Sequence, residues 1–261
     1  MRLSVGCELV LETDASHSVP LVLMLCPSNS ESQWIAEKYQ SLSPMVPVRE
    51  YTDCFGNLCQ RLESPPGRFT IRMTVVVETV ATIEIMPEAP LNLISEVPNH
   101  VLQFLLPSRY CPSDLMGGLA NQIVEGHLPG YDQVAAICDW IHRNIKYCYG
   151  TSDAFTSAQD TVRDRSGVCR DFAHLGIALC RSLTIPARMV VGYLNELKPM
   201  DMHAWFEAFV GGRWYTFDAT QEQPRGGRIT VATGRDAADV ALITQFGPSV
   251  LTEMCVWVNK V

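Results

Sequence analysis

The sequence has little charge, and it contains no block of basic residues. Asp, Glu, Lys and Arg make up 18% of the 261 residues, and the formal net charge at pH 7 is −8. Nucleic acids and anionic membrane surfaces attract clustered Lys and Arg side chains. The composition therefore argues against a nucleic acid or a membrane as the partner of this protein.

Long hydrophobic runs are also missing. Residues 1–8 lack the basic start and apolar block of a secretory leader. The apolar run at 19–26 is too short to span a bilayer and follows acidic residues. We therefore expect a cytoplasmic protein.

Cysteine is abundant, but the spacings that give cysteines a structural purpose are absent. The ten cysteines include no CxxC pair, and no Cys/His cluster has structural-zinc spacing. No acidic loop has calcium-binding spacing either. A chain of this length can build a core without disulfides. We expect mostly reduced thiols, no metal and no cofactor.

The first hundred residues have the pattern of β-strands. Apolar residues alternate over 3–11, and further strand-like runs are separated by turn signals at 55–57 and 64–67. These further runs lie at 21–26, 48–54, 58–63 and 69–85. The pattern predicts an N-terminal antiparallel β-sandwich domain at 1–106, with a proline-rich boundary over 87–112.

The rest of the chain, 107–261, mixes helices and strands and completes an α+β prediction. Apolar residues recur at steps of three and four from Val134 to Cys148, which is typical of an amphipathic helix. A second helix is predicted to begin near Ser166, with Ser166 as N-cap, and to end before Pro186. Strands are predicted at 187–194, 202–210 and 213–220, and a final strand near 252–258.

Cys169 lies where the second helix is predicted to begin. Helix N-termini favour thiolates, and the unpaired backbone N–H groups there can stabilise an oxyanion. Cys169 also falls on the apolar stripe of the helix, so its own position is equally compatible with a buried structural cysteine. Cys180, on the same stripe, is far from the helix start and is interpreted as core.

A hairpin supplies two possible partners for this thiol. The pair Gly211-Gly212 is typical of a two-residue turn, so Val210 should pair with Arg213. His203 then faces Thr220, and Asp218 faces Trp205, which makes Asp218 the diagonal neighbour of His203 on one sheet face. Each residue alone has a structural interpretation. Together, a carboxylate that orients an imidazole beside a thiol indicates acyl-transfer chemistry.

Other histidines are weaker candidates for the base. His174 points away from Cys169 on the same helix by about 140°, at about 100° per residue. His142 is predicted on an exposed helical face. A zinc hydrolase using Cys169 and His203 lacks further ligands at suitable spacing.

Four segments together resemble the transglutaminase-like superfamily, above all its bacterial branch named for putative cysteine proteases. They lie in the family's order at 166–173, 185–193, 203–207 and 214–218. The segment at 234–240 and the strand-rich first half resemble that branch too. The resemblance implies a papain-like core in which a helix carrying the cysteine packs on an antiparallel sheet. It also implies a nucleophile at Cys169, a general base and acid at His203 and an orienting carboxylate at Asp218. The family's oxyanion side chain has no clear counterpart, with Gln159 and Tyr149 as candidates.

We therefore expect a cysteine-dependent enzyme acting on a protein or peptide substrate. Its reaction would be hydrolysis of peptide or glutamine-type amides through a thioester. Crosslinking or deamidation by the same triad, and a binding scaffold with a silent triad, are the alternatives. The oligomeric state is not predicted.

Overall fold

The predicted α+β fold is confirmed. The computed structural model describes residues 1–14 and 17–261. The strands of the first half are β1 (Arg2–Thr13), β2 (Val19–Leu23), β3 (Gln33–Ser43), β4 (Arg49–Thr52), β5 (Leu58–Ser64) and β6 (Gly67–Thr79). Three short 3-10 helices, Ile94–Glu96, Leu102–Leu105 and Ser113–Leu115, follow.

Four α-helices and eight further strands form the rest of the described chain. The helices are α1 (Gly117–Ile123), α2 (Tyr131–Asn144), α3 (Ala158–Asp164) and α4 (Cys169–Ser182). The strands are β7 (Lys146–Tyr147), β8 (Ser166–Gly167), β9 (Ala187–Leu194), β10 (His203–Val210), β11 (Arg213–Phe217), β12 (Arg228–Gly234), β13 (Ile243–Gln245) and β14 (Ser249–Lys260). Among the described residues, no helix combines the length and the apolar character that a bilayer span needs.

Two four-stranded antiparallel sheets form the strand-rich region, in the orders β14-β1-β6-β3 and β13-β2-β5-β4. Side chains connect the two sheets: Thr13 Oγ1 lies 3.2 Å from Ser64 Oγ, and Gln40 Nε2 donates to Gln60 Oε1 at 2.7 Å. The alternating apolar residues of β1 and β6 are buried, as their period of two predicts.

The end of the chain takes part in these same sheets. The sequence prediction assigned 107–261 to one domain, but β13 pairs with β2, and β14 pairs along β1 from Leu3↔Lys260 to Thr13↔Ser249. The pairing places Val258 opposite the buried Val5. Local sequence pattern predicted the strand but contains no information on a partner so distant along the chain.

A third antiparallel sheet, in the order β11-β10-β9-β12, supports the candidate site. Helix α4 packs on it at Gly176, where an added Cβ would lie 2.5 Å from the Phe206 ring. The absence of a side chain at this position therefore lets the helix and β10 approach closely. The arrangement is the predicted one of a cysteine-bearing helix on an antiparallel sheet.

Two details of the helix and the hairpin differ from the prediction. Helix α4 begins slightly later than expected: Val168 is its N-cap, while Ser166 and Gly167 form β8 beside β7. The hairpin has the predicted Val210↔Arg213 register, but its ladder ends at Phe206↔Phe217. The expected pairs of His203 with Thr220 and Asp218 with Trp205 therefore lie beyond the ladder, since β11 stops at Phe217.

Candidate active site

Cys169 is the first residue of α4, and a buried carboxylate fixes the turn before it. The Val168 N–H donates to Asp171 Oδ2 at 2.8 Å, and Asp171 is fully buried. Gly167 allows the close approach, because an added Cβ would lie 2.7 Å from Asp171 Cβ. The half-buried Cys169 is therefore held at the positive end of the helix dipole.

Tyr147 lies beside this helix start, and the sequence prediction missed it. The parallel pairing of Tyr147 with Gly167 brings its side chain close to Cys169 at the start of α4. The Tyr147 ring packs against Phe172 with centroids 5.7 Å apart. Burial, followed by the neighbouring Cys169, raises the pKa of the phenol well above its usual range, so the hydroxyl keeps its proton.

His203 begins β10 and contacts both of its predicted partners. It is 3% exposed, and its Nε2 donates to Asp218 Oδ2 at 2.8 Å. The thiol of Cys169 lies close enough to the same imidazole to raise its pKa. Because Nε2 is engaged by Asp218, Nδ1 is the ring nitrogen left for the thiol.

The charges around His203 favour its protonated form. Burial, the largest influence, lowers the pKa of the imidazole, but the Asp218 carboxylate and the Cys169 thiol more than offset it. The pKa is raised from 6.5 to about 9. An imidazolium next to the thiol stabilises a thiolate.

Asp218 is a buried carboxylate with four donors. Its Oδ1 accepts from the Thr220 backbone N–H at 3.1 Å and from the Thr220 hydroxyl at 2.7 Å. Its Oδ2 accepts from His203 and from Arg228 Nη2, both at 2.8 Å. Burial raises the pKa of this carboxyl, but Arg228 and then His203 lower it far below its usual range. Asp218 is therefore ionised.

Arg228 is a second residue that the sequence prediction missed. It begins β12, a strand that was not predicted, and its side chain is 7% exposed. The run 228–234 carries the signal that could have revealed the strand, since it is rich in β-branched residues at a spacing of two.

A cleft of about 180 Å³ opens over His203. Its remaining lining residues are Tyr147, Tyr149, Leu197, Lys198, Pro199, Asp201, Met202, Thr220 and Gln221. Most of these side chains are apolar or aromatic. Tyr149 is 56% exposed, so the cleft is open to solvent on this side.

The remaining candidates lie apart from this arrangement. His174 is fully buried and accepts the Ala237 N–H through Nε2 at 3.1 Å. His142 is exposed, and its Nδ1 contacts Ala219 O at 3.0 Å. Gln159 is an exposed residue of α3, whereas Tyr149 packs on Tyr147 with centroids 5.5 Å apart.

Within residues 1–14 and 17–261, no group of three or more His, Cys, Asp and Glu side chains is arranged to hold a metal ion. The structure thus offers no third or fourth ligand, among the described residues, for a zinc ion at Cys169 and His203.

The chain is similar to known proteins over most of its length. The model of the family described as "Transglutaminase-like superfamily" matches residues 117–219, which contain Cys169, His203 and Asp218. The solved structure of a "putative cysteine protease" from Cytophaga hutchinsonii is 36% identical and covers 99% of this chain and 90% of its own, with a TM-score of 0.92.

Two curated relatives match to different extents. The uncharacterized protein ML0607 of Mycobacterium leprae is 28% identical over 92% of this chain and 90% of its own length. The uncharacterized protein Rv2569c of Mycobacterium tuberculosis is 34% identical over 49% of this chain and 47% of its own length.

Proposed function

Since this chain belongs to the transglutaminase-like superfamily, we propose that it is a cysteine-dependent enzyme that transfers acyl groups from amides. One observation carries the proposal: the His203 imidazole lies between the Asp218 carboxylate and the thiol that begins α4. In this assignment Cys169 is the nucleophile, His203 the general base and acid, and Asp218 the group that orients the imidazole.

The reaction takes place in two steps. In the first, the Cys169 thiolate attacks the amide carbonyl, the C–N bond breaks, and the His203 imidazolium gives its Nδ1 proton to the leaving amine. The product is a thioester on Cys169. In the second, His203 takes a proton from water as the water oxygen attacks the thioester, which releases the acid and the free thiol.

Tyr147 and the start of α4 are suited to stabilise the tetrahedral intermediate. We assign the oxyanion site to the Cys169 backbone N–H and the Tyr147 hydroxyl, which lie close to each other at the start of α4. The oxyanion would accept one hydrogen bond from the N–H and another from the phenol O–H.

A peptide or protein chain is the substrate that the cleft fits best. Its wall is apolar and aromatic, and the exposed Tyr149 leaves it open at the surface, where an extended chain can enter. The description of the Cytophaga protein as a "putative cysteine protease" favours the same substrate class. Hydrolysis is the expected outcome, since solvent reaches the cleft. Crosslinking results instead if an amine reaches the thioester first, and deamidation if the amide is a glutamine side chain.

Thiol alkylation tests the nucleophile without a known substrate. Iodoacetamide at pH 6, followed by peptide mass spectrometry, should label Cys169 faster than Cys54 and Cys255, which are exposed and serve as controls inside the same chain. His203→Gln should remove the difference because it removes the imidazolium. Equal or slower labelling of Cys169 in the wild type would contradict the proposal and favour a scaffold.

Turnover tests the reaction itself. The wild type should release soluble fluorescence from labelled casein, whereas Cys169→Ala should not. A fluorescent primary amine added to the same assay distinguishes the outcomes, since incorporation of the amine into casein indicates crosslinking.

A further inference from the structure

Arg228 lies outside the segment matched by the family model, yet it contacts the carboxylate of the proposed triad. Its Nη2 donates to Asp218 Oδ2 at 2.8 Å, and its Nε donates to Arg225 O at 3.1 Å. Its guanidinium carbon lies 5.0 Å from the centroid of the Trp205 ring. These contacts hold a permanently charged group in a buried place.

The same carboxylate oxygen serves two positive groups. Asp218 Oδ2 accepts from Arg228 Nη2 and from His203 Nε2, each at 2.8 Å. Arg228 is charged at every pH at which the protein folds, whereas His203 is charged only when protonated. The negative charge of Asp218 is therefore partly compensated before His203 takes up a proton.

We propose that Arg228 is a positioning residue whose fixed charge keeps Asp218 ionised and limits the proton affinity of His203, so that the imidazolium can release its proton to the leaving amine. Without Arg228, Asp218 would be a buried anion whose one cationic hydrogen-bond partner, among the described residues, is His203. The His203–Asp218 pair would then keep its last proton to higher pH, whichever of the two residues carried it.

The groups around this pair come from several elements. The Cys169 thiol of α4 faces His203. Tyr147 of β7 and Asp201 line the cleft together with His203. On the Asp218 side, Cys138 of α2 is partly buried, and this burial raises the pKa of its thiol to about 12, so it stays neutral.

A cavity of about 170 Å³ is lined by Asp218 and Arg228 and by further titratable side chains. Asp139 and His142 of α2 and Glu222 line it. Asp139 forms an ion pair with Arg143 at 2.8 Å. Of the positive groups named here, Arg228 and His203 are the two that hydrogen-bond directly to Asp218.

The inference rests on the proposed function, but its test reads His203 directly. The ring protons of ¹³C-labelled histidine are titrated by NMR, and His203→Gln assigns the His203 signal. Arg228→Gln should raise the midpoint of the His203 titration by about one pH unit or more. Arg228→Lys, which keeps the charge, should stay close to the wild type.

A matched pair of variants covers the case in which Arg228→Gln fails to fold. Asp218→Asn removes the buried carboxylate, and Arg228→Gln is then added to it. The midpoint should be higher in the double variant than in Asp218→Asn alone, because a positive charge near His203 has been removed.

Three results would overturn the inference: an unchanged or lower midpoint in Arg228→Gln, a shift in Arg228→Lys as large as that in Arg228→Gln, or equal midpoints in the matched pair. The second would show that Arg228 acts through its shape alone. None of these three results decides the outcome of iodoacetamide labelling of Cys169 in the wild type. A failure of the proposed function is therefore recognised separately.

Discussion

The surroundings of His203 and of His174 show how one residue type is used in two ways around the same helix. Both imidazoles are buried and each lies near an aspartate. The pKa of His203 is raised to about 9, whereas burial, the largest influence on His174, lowers its pKa to about 3. His203 is prepared to carry a proton, and His174 remains neutral.

The difference lies in what each aspartate contacts. Asp218 gives an oxygen directly to His203 Nε2. Asp236 instead accepts the backbone N–H groups of Tyr110 at 2.8 Å and Ala238 at 2.9 Å, while His174 accepts the Ala237 N–H and stacks on Tyr110 with centroids 5.0 Å apart. Asp218 therefore outweighs the effect of burial on His203, whereas Asp236 does not outweigh burial and the positive charges of Arg170 and Arg181 at His174.

Replacing each aspartate with asparagine should give the largest difference in Cys169 reactivity between the His203 region and the His174 region. Asp218→Asn removes the charge that stabilises the His203 imidazolium, so iodoacetamide labelling of Cys169 at pH 6 should slow about 1000-fold. Asp236→Asn is the control and should leave the labelling rate within about threefold. Similar slowing in both variants would show that the contrast between the two histidines is unrelated to thiol reactivity.

The pH dependence of stability should have opposite signs for the two histidines. The folded pKa of His203 lies above its usual value of 6.5, so its contribution is complete below pH 6.5 and is lost as the pH rises through about 9. The folded pKa of His174 lies below 6.5, so its contribution is present above pH 6.5 and is lost as the pH falls towards about 3.

Urea unfolding at a series of pH values measures both slopes. His203→Gln should reduce the loss of unfolding free energy at alkaline pH by an amount on the order of 2–3 kcal/mol. His174→Gln should reduce the loss of unfolding free energy at acid pH. An alkaline slope that persists in His203→Gln would mean that other groups cause it.

Replacing His174 with an apolar side chain should affect stability alone. His174→Leu leaves the partly buried Ala237 N–H without its acceptor, which should lower the free energy of unfolding by about 1–3 kcal/mol. His174→Gln retains an acceptor and should recover part of this loss. Labelling of Cys169 should stay close to the wild-type rate in both, and a large decrease would assign His174 to the reactive site.

The smallest effect is expected at Thr220. Thr220→Val removes the hydroxyl bond to Asp218 Oδ1 but leaves the backbone N–H bond and Arg228 in place. Labelling of Cys169 should slow about fivefold, which corresponds to roughly 1 kcal/mol for one hydrogen bond. Thr220→Ser should restore the rate, since it retains the hydroxyl.

Contacts between residues that are close together in the sequence could be predicted, and the hairpin is the clearest case. Gly211 and Gly212 have positive φ, as the turn requires. They set the hairpin register that brings Asp218 close to His203. The strand β3 was missed because six of its eleven side chains are exposed and its apolar residues do not alternate with polar ones.

Tyr147 and Arg228 were beyond the reach of sequence patterns for a different reason. Tyr147 approaches Cys169 only through the two-residue pairing of β7 with β8, which is too short to leave a pattern. Arg228 approaches Asp218 because β12 adds to the far side of β9, as the sheet order β11-β10-β9-β12 shows. Which strands become neighbours depends on the packing of the whole sheet.

The pairing of β1 with β14 has a consequence for synthesis on the ribosome. The edge of β1 that receives β14 is made more than 200 residues before its partner, as the pair Leu3↔Lys260 shows. At the usual speed of translation this interval is roughly 10–50 s. During that time the backbone groups along this edge of β1 lack their final partner and can pair with other extended chains.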